Sequence, residues 1–426
     1  MWFLEDEPTT ADVPIQRRIL RVLGRVSLVC LVSCFVALTY FFYLYSWYAL
    51  TRMNDFGNFL QTARLIRAGI HDPYAPGVHT LVSLSDIHLH LLNMNPPQFH
   101  MFLYPLLGCS NELAAGIWLL LQLLACGVGL FVIFRTLGLA SLRIRTRIGL
   151  LFLLMLSAPT LAILITGQFA FILFLLVTLA WRNFLVGRWI RGATYLGLGL
   201  GVKLYFLIFV PWLLFRRKWI AATSMIGVAA LLFGLSYALQ GSAPMSSWFG
   251  AMNGIHWLWL PMNASLLGFL DRVFTSHPLY YAPLVDGHSF LGPLRICLVL
   301  ILGIVVGMTL YFRRKDINYE LALLLVSAQL LQPLGNVYYV WLIAAPIVPI
   351  VREWRTKLQM KDAPIGLKLL LGISLAGFIT PLNFFNLFPI HPFFTMTTGS
   401  VYFWALLTLW LALLFYPPER LVPIQR

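Results

Sequence analysis

The stretch Arg52-Met53-Asn54-Asp55-Phe56-Gly57-Asn58 sets a carboxylate directly after the first long apolar segment, about residues 26–48. A carboxyl group at a dry membrane boundary resists ionisation, and a raised pKa suits a general base that takes a proton from a sugar hydroxyl. Asp55 or Asn54 could equally cap the helix that follows, because both side chains accept bonds from free backbone N–H groups. On residue chemistry alone both readings stand.

Lys203 lies in Gly199-Leu200-Gly201-Val202-Lys203-Leu204. An ammonium group in such apolar company is costly unless it faces a polar cavity or an anion, which makes Lys203 a candidate phosphate ligand. Snorkelling to an interface is the alternative, and Arg191 and Arg216 already mark the nearby boundary. Gln168 follows Gly167 at a break between apolar segments; it offers a donor and an acceptor to a sugar hydroxyl or phosphate oxygen, or else caps a broken helix. In a later loop Asn263, Ser265, Asp271 and Arg272 follow the aromatic run His256-Trp257-Leu258-Trp259, which suits sugar binding or an interfacial belt. His79, Asp86, His88 and His90 are metal-ligand types without a familiar metal spacing, so a surface loop is preferred and metal-independent chemistry without a cofactor is expected.

These residues need a scaffold, and composition dictates its class. Hydrophobic residues make up 60% of the 426-residue chain and charged residues 11%, with a mean hydropathy of +0.83. That excludes an ordinary soluble domain and predicts an all-α polytopic integral membrane protein. The net charge of +15 falls in short clusters between apolar segments, so it reports orientation, not nucleic-acid binding. The clusters at 135–147, 182–191, 216–218, 313–315 and 352–361 belong on the cytoplasmic side by the positive-inside rule, as do both termini. The five cysteines lack a paired metal spacing and read as packing residues.

Apolar periodicity predicts segments at about 26–48, 112–134, 148–166, 168–181, 192–202, 204–215, 219–239, 295–312, 318–333, 338–351, 364–382 and 401–417. Those at 168–181, 192–202 and 204–215 are too short to cross a bilayer and read as helices that rise to a break and return. The breaks at Gly167-Gln168 and Val202-Lys203 are then expected to line one cavity. Residues 1–25 and 418–426 are expected as cytoplasmic ends of a single transmembrane domain, 26–417, with large outer loops at 49–111 and 240–294. In the first loop Phe56, Phe59, Leu60, Ala63 and Ile66 recur at helical spacing while Gln61, Arg64 and Arg67 line another face, as in an interfacial helix. Gly69 and Pro73 end it.

The ordered series Asp55-Phe56, Gly69 to Tyr74, Asn95-Pro96-Pro97 with Tyr104-Pro105, Gly167-Gln168, Gly197 to Lys203 with Arg216-Arg217, and Asn263-Ala264-Ser265-Leu266 resembles glycosyltransferase family 87. The resemblance covers roughly residues 20 to 350. It implies a GT-C-type bundle of about 12 transmembrane or short membrane helices, and transfer of a hexose, mannose first, from a polyprenyl-phosphate donor to a lipid or glycan acceptor. It further implies Asp55 as catalytic base in an inverting displacement, with Lys203, Gln168, Arg64 and Arg272 towards the donor phosphate or sugar. Asn58, Asn263, His256, Trp257 and Tyr338 become candidate acceptor or sugar contacts. The stretch Gln332 to Tyr339 matches only loosely a segment where related enzymes often carry histidine. The expected setting is an integral membrane position, the plasma (inner) membrane if the source is bacterial, with the site on its outer face and membrane lipids as surroundings. The rival from another class is a transporter or flippase of a lipid-linked sugar, for which the same cavity is a passage.

Overall fold

Apolar helices, some long and many short, make up nearly all of the regular structure among the described residues. The computed structural model describes residues 54–75, 81–84, 87–90, 93–139, 154, 157–252, 257–276, 282–285, 287–312, 316–360, 363–382 and 384–418. The expected first span, the 1–25 segment and nearly all of the 418–426 tail lie outside these residues.

Among the described residues the helices are α1 Asn54–Arg67, α2 Pro97–Met101, α3 Asn111–Thr136, α4 Ala158–Thr166, α5 Ala170–Leu185, α6 Trp189–Val202, α7 Phe209–Phe215 and α8 Trp219–Gln240. They continue as α9 Ala243–Met252, α10 Leu266–Phe274, α11 His288–Phe312, α12 Ile317–Leu331, α13 Ala344–Gln359, α14 Ile365–Ile379, α15 Pro392–Met396 and α16 Val401–Phe415. Short 3-10 turns, Leu204–Ile208 and Val337–Ile343, lead into α7 and α13. One antiparallel hairpin, β1 Leu81–Leu84 with β2 Ile87–His90, pairs Leu81 with His90 and Leu84 with Ile87.

Among the described residues five helical stretches are long and apolar enough to cross a membrane: Asn111–Thr136, Trp219–Gln240, Phe290–Phe312, Val337–Gln359 and Pro392–Phe415. Apart from the one hairpin, the regular structure of the described residues is helical, and the protein is a polytopic membrane protein of the helical class, as the composition predicts. Helix α11 shows how such spans meet lipid: Ile296, Leu300, Ile301, Ile304 and Met308 are all exposed, which is unfavourable in water but not in hydrocarbon. The segments expected at 168–181, 192–202 and 204–215 form helices of 16, 14 and 7 residues, the last behind a 3-10 turn. Periodicity did not anticipate α9 and α10 within the loop 240–294, because they bury only narrow faces; nor did it place the start of α11 at His288, seven residues before the predicted start. Pro293 reads as a breaker in sequence, yet so near a helix start it removes little of the backbone ladder.

Glycines set the packing behind the site. A Cβ on Gly197 would fall 2.7 Å from the Met225 carbonyl oxygen of α8 and 2.9 Å from the Val228 Cβ. One on Gly201 would meet the Leu232 side chain. Small residues thus let the backbones of α6 and α8 approach closely, the usual source of contact between helices where lipid offers no hydrophobic drive. On the far side Glu320 of α12, almost fully buried, accepts bonds from Arg216 Nε at 2.8 Å, Arg216 Nη2 at 2.6 Å and Trp212 Nε1 at 2.7 Å. This triad ties α7 and the residue that ends it to α12.

Candidate active site

Two broken helices create the site, and the freed backbone groups at each break are taken up by side chains. Helix α4 ends on Gly167, whose φ of 74° lies in the left-handed region that favours glycine. Its carbonyl accepts a bond from Trp118 Nε1 of α3 at 2.7 Å. At the other break Lys203 turns to an extended conformation, φ −139° and ψ 113°, after the last residue of α6. The Gly201 carbonyl accepts from Gln98 Nε2 of α2 at 2.5 Å. Non-helical backbone at such depth requires partners of this kind.

The breaks deliver Gln168 and Lys203 to a single cavity of about 390 Å³. Asp55 reaches it from the first turn of α1, a favourable place for a carboxylate because it faces the positive end of the helix dipole. It sits within the helix rather than before it, and its Oδ2 accepts a bond from Gln168 Nε2. Since α1 lies outside the spans, its amphipathic face packs inward: Phe56, Phe59, Leu60, Ala63 and Ile66 are all buried. Phe59 meets Phe99 edge to face at 5.1 Å and Phe169 at 5.9 Å, which anchors the helix beside the break.

Burial pushes the Asp55 carboxyl up to about 6, against the lowering influences of the Gln168 amide, the Lys203 charge and the Thr166 hydroxyl. The Lys203 ammonium lies 5.4 Å from the centre of the Phe169 ring and 5.8 Å from that of Tyr339, within the range of cation–π attraction. These aromatic faces soften the cost of the charge without neutralising it, and among the described residues Lys203 makes no ion pair within 4.0 Å. The cavity thus holds a carboxylate suited to accept a proton and a cation free to meet an anion.

A second buried network holds the wall behind α1. Asn93 donates from Nδ2 to Thr62 Oγ1 at 3.0 Å and to His100 Nε2 at 2.8 Å, while its Oδ1 accepts from the Asn95 backbone N–H at 3.0 Å. Because His100 Nε2 accepts, its proton resides on Nδ1, beside the Pro96 carbonyl at 3.2 Å. Tyr74 closes the network by donating to the Asn95 carbonyl at 2.9 Å. Sequence reasoning did not single out Asn93 and His100. The proline-rich run Asn95-Pro96-Pro97 beside them was the available signal.

Of the candidate site residues, Asp55, Asn58, Gln168, Lys203, Trp257 and Tyr338 line this cavity, together with Tyr205, Tyr339, Gln332 and Asn336. Three others are engaged elsewhere. Arg64 donates to Asn111 Oδ1 at 2.9 Å, joining α1 to the start of α3. Arg272, fully buried, donates to the carbonyls of Leu260 and Asn263, each at 3.0 Å, and to Ser400 Oγ at 3.0 Å. Asn263 donates to the Leu258 and Pro333 carbonyls and accepts from the Ser265 N–H, and its backbone bridges to Asn336. Arg272 and Asn263 therefore brace the loops that form one cavity wall, a role their polarity in sequence did not distinguish from ligand binding. His256, His79 and Asp86 fall outside the described residues, and His88 and His90 are described only as backbone of β2. Asp271 pairs with Arg295 at 2.6 Å, away from the cavity lining.

Comparison with known protein families gives a match. The model of glycosyltransferase family 87 fits residues 93–334, more than half of the chain, a range that includes Gln168 and Lys203 and begins after Asp55. No curated protein matches the chain, and no solved structure does.

Proposed function

Since this chain belongs to glycosyltransferase family 87, we propose that it transfers a hexose, in first place mannose, from a polyprenyl-phosphate donor to a lipid or glycan acceptor, with inversion. The observation that carries this reading is the meeting of Asp55, Gln168 and Lys203 on one cavity. Asp55 takes the proton of the acceptor hydroxyl as that oxygen attacks the anomeric carbon from the face opposite the phosphate. The bond between the anomeric carbon and the phosphate oxygen breaks with its electron pair on the phosphate. The leaving group is a stable anion, so the fixed charge of Lys203 replaces a general acid. One displacement inverts the anomeric centre and gives an α-linked product from a β-linked donor.

The Gln168 amide supports the base by bonding one carboxylate oxygen, which leaves the other for the incoming hydroxyl. Placement of the site at the outer face of the membrane, the inner membrane if the source is a bacterium, with both termini cytoplasmic, is supported by the distribution of Lys and Arg along the sequence. The test is transfer of radiolabelled mannose from polyprenyl phosphate in proteoliposomes, with Asp55→Asn alongside and a chelator present. Chelator-resistant transfer that Asp55→Asn abolishes supports the reading. Normal turnover by Asp55→Asn overturns the base, and movement of labelled lipid across the bilayer without transfer favours the flippase.

A further inference from the structure

Residues that line the cavity hold, just beneath its surface, a set of polar atoms that the displacement chemistry leaves unused. Gln168 Oε1, Asn95 Oδ1, Asn336 Oδ1, Gln332 Nε2 and Tyr205 Oη are each shielded from solvent and have no hydrogen-bond partner among the described residues, and all five residues line this one cavity. Buried polar groups without partners are rare, and several around one cavity indicate that partners arrive with a ligand.

The identity of these atoms follows from their neighbours. An ionised carboxylate only accepts, so Gln168 must turn its amide N–H towards Asp55 and is left with a free oxygen. Asn93 spends its N–H groups on Thr62 and His100, so its oxygen faces the Asn95 amide, which donates at 3.1 Å and leaves the Asn95 oxygen free. Asn336 donates to Tyr338 Oη at 2.6 Å and likewise keeps a free oxygen. Three of the five atoms are thus acceptors that carry no hydrogen. Such a surface repels phosphate oxygens and attracts hydroxyl groups, which donate. The site for the anion lies next to it. Tyr338 and Tyr339 are in ring contact at 4.6 Å, and Tyr339 faces the Lys203 ammonium. A sugar bonded directly to a phosphate at Lys203 therefore has this wall within reach.

We propose that Gln168, Asn95 and Asn336 form a wall that reads the ring hydroxyls of the transferred sugar, with Gln332 and Tyr205 as donors to its oxygens, while the phosphate is directed to Lys203. This rests on the glycosyltransfer reading and adds to it which side chains select the sugar. Asn336 is a selecting residue with no part in the proton transfer. Its loss raises KM and leaves kcat nearly unchanged, whereas loss of Asp55 removes kcat.

The experiment is a cycle between side chain and substrate. Rates are measured for wild type, Asn336→Leu and Asn336→Ser with polyprenyl-phosphate mannose and with donors that lack one ring hydroxyl at a time. Each preparation is first checked for a single chromatographic species. A hydrogen bond of ordinary strength predicts that removing the matching hydroxyl raises the wild-type KM by about fivefold to tenfold, and the Asn336→Leu KM by less than about twofold. Asn336→Ser, which keeps a short acceptor, recovers part of the loss. If every deoxygenated donor loses equally in wild type and both variants, the wall does not read the sugar. If wild type transfers no sugar from any donor, the glycosyltransfer reading itself fails. A separate binding measurement is expected to show larger thermal stabilisation of Asp55→Asn by the intact donor than by polyprenyl phosphate alone, which still meets Lys203; equal stabilisation by both overturns the wall even where transfer is observed.

Discussion

Replacing Gln168 by Leu tests how Asp55 is tuned. As a base the carboxyl acts only when ionised, so the wild-type rate should fall about tenfold for each pH step of one below about 6, where burial sets its proton affinity. The Gln168 amide opposes burial by donating to the carboxylate, and a hydrogen bond to a charged group contributes about 1.5–3 kcal/mol. Because the cavity admits solvent, we take the lower end of that range. At about 1.4 kcal/mol for each tenfold change in affinity, the acid limb of the profile should move upward by roughly one on the pH scale. The assay is the initial rate of mannose transfer from about pH 4.5 to about 8.5 at saturating donor, with wild type, Gln168→Leu and Asp55→Asn compared. An acid limb that stays in place, or moves down, in Gln168→Leu refutes the tuning argument. A limb that persists in Asp55→Asn refutes the base.

Other outcomes follow from the same geometry. Asp55→Asn should stabilise the fold while lowering turnover by about a hundredfold or more. The native state holds the Asp55 proton roughly a hundredfold more tightly than an ordinary carboxyl, so its contribution is present below pH 3.8, falls as pH rises and is lost above about 6; unfolding free energies of the two proteins should agree near pH 4 and differ above 6 by up to about 3 kcal/mol. Arg272→Leu should lose stability by about 3 kcal/mol with an unchanged donor KM in whatever folded protein is recovered, since its bonds brace loops; a raised KM at full stability would return it to the donor site. Glu320→Leu leaves Arg216 without its bidentate partner and should lower stability by a similar amount, seen as a lower thermal midpoint, again without moving the pH profile. Gly197→Val forces α6 from α8 and should cost about 1–3 kcal/mol, read in a melting curve; an unchanged midpoint would mean the helices do not pack this closely.

Much of the architecture was legible in the order of residues because lipid imposes a simple rule. Each span must be long, apolar and internally hydrogen-bonded, so composition and periodicity located α3, α8, α14 and α16 to within a few residues. Interrupted segments were legible for the same reason. A glycine and a lone lysine in apolar surroundings mark places where the backbone leaves the helix, and Gln168 and Lys203 could be named from that alone.

What sequence could not separate was polar residues that face a ligand from polar residues that hold loops. Arg272, Asn263 and Lys203 look alike in a chain of letters, each a polar side chain in apolar company. Only the folded chain shows that Arg272 ends on carbonyls of Leu260 and Asn263, whereas Lys203 rests against two aromatic faces on the cavity. The partnership of Asp55 with Gln168 spans 113 positions, and that between the bracing loops, Asn263 with Pro333, spans 70. Local propensity carries no information over such separations. They are decided by how tightly glycine-bearing helices pack and by which buried atoms are left with partners, and both are properties of the assembled fold.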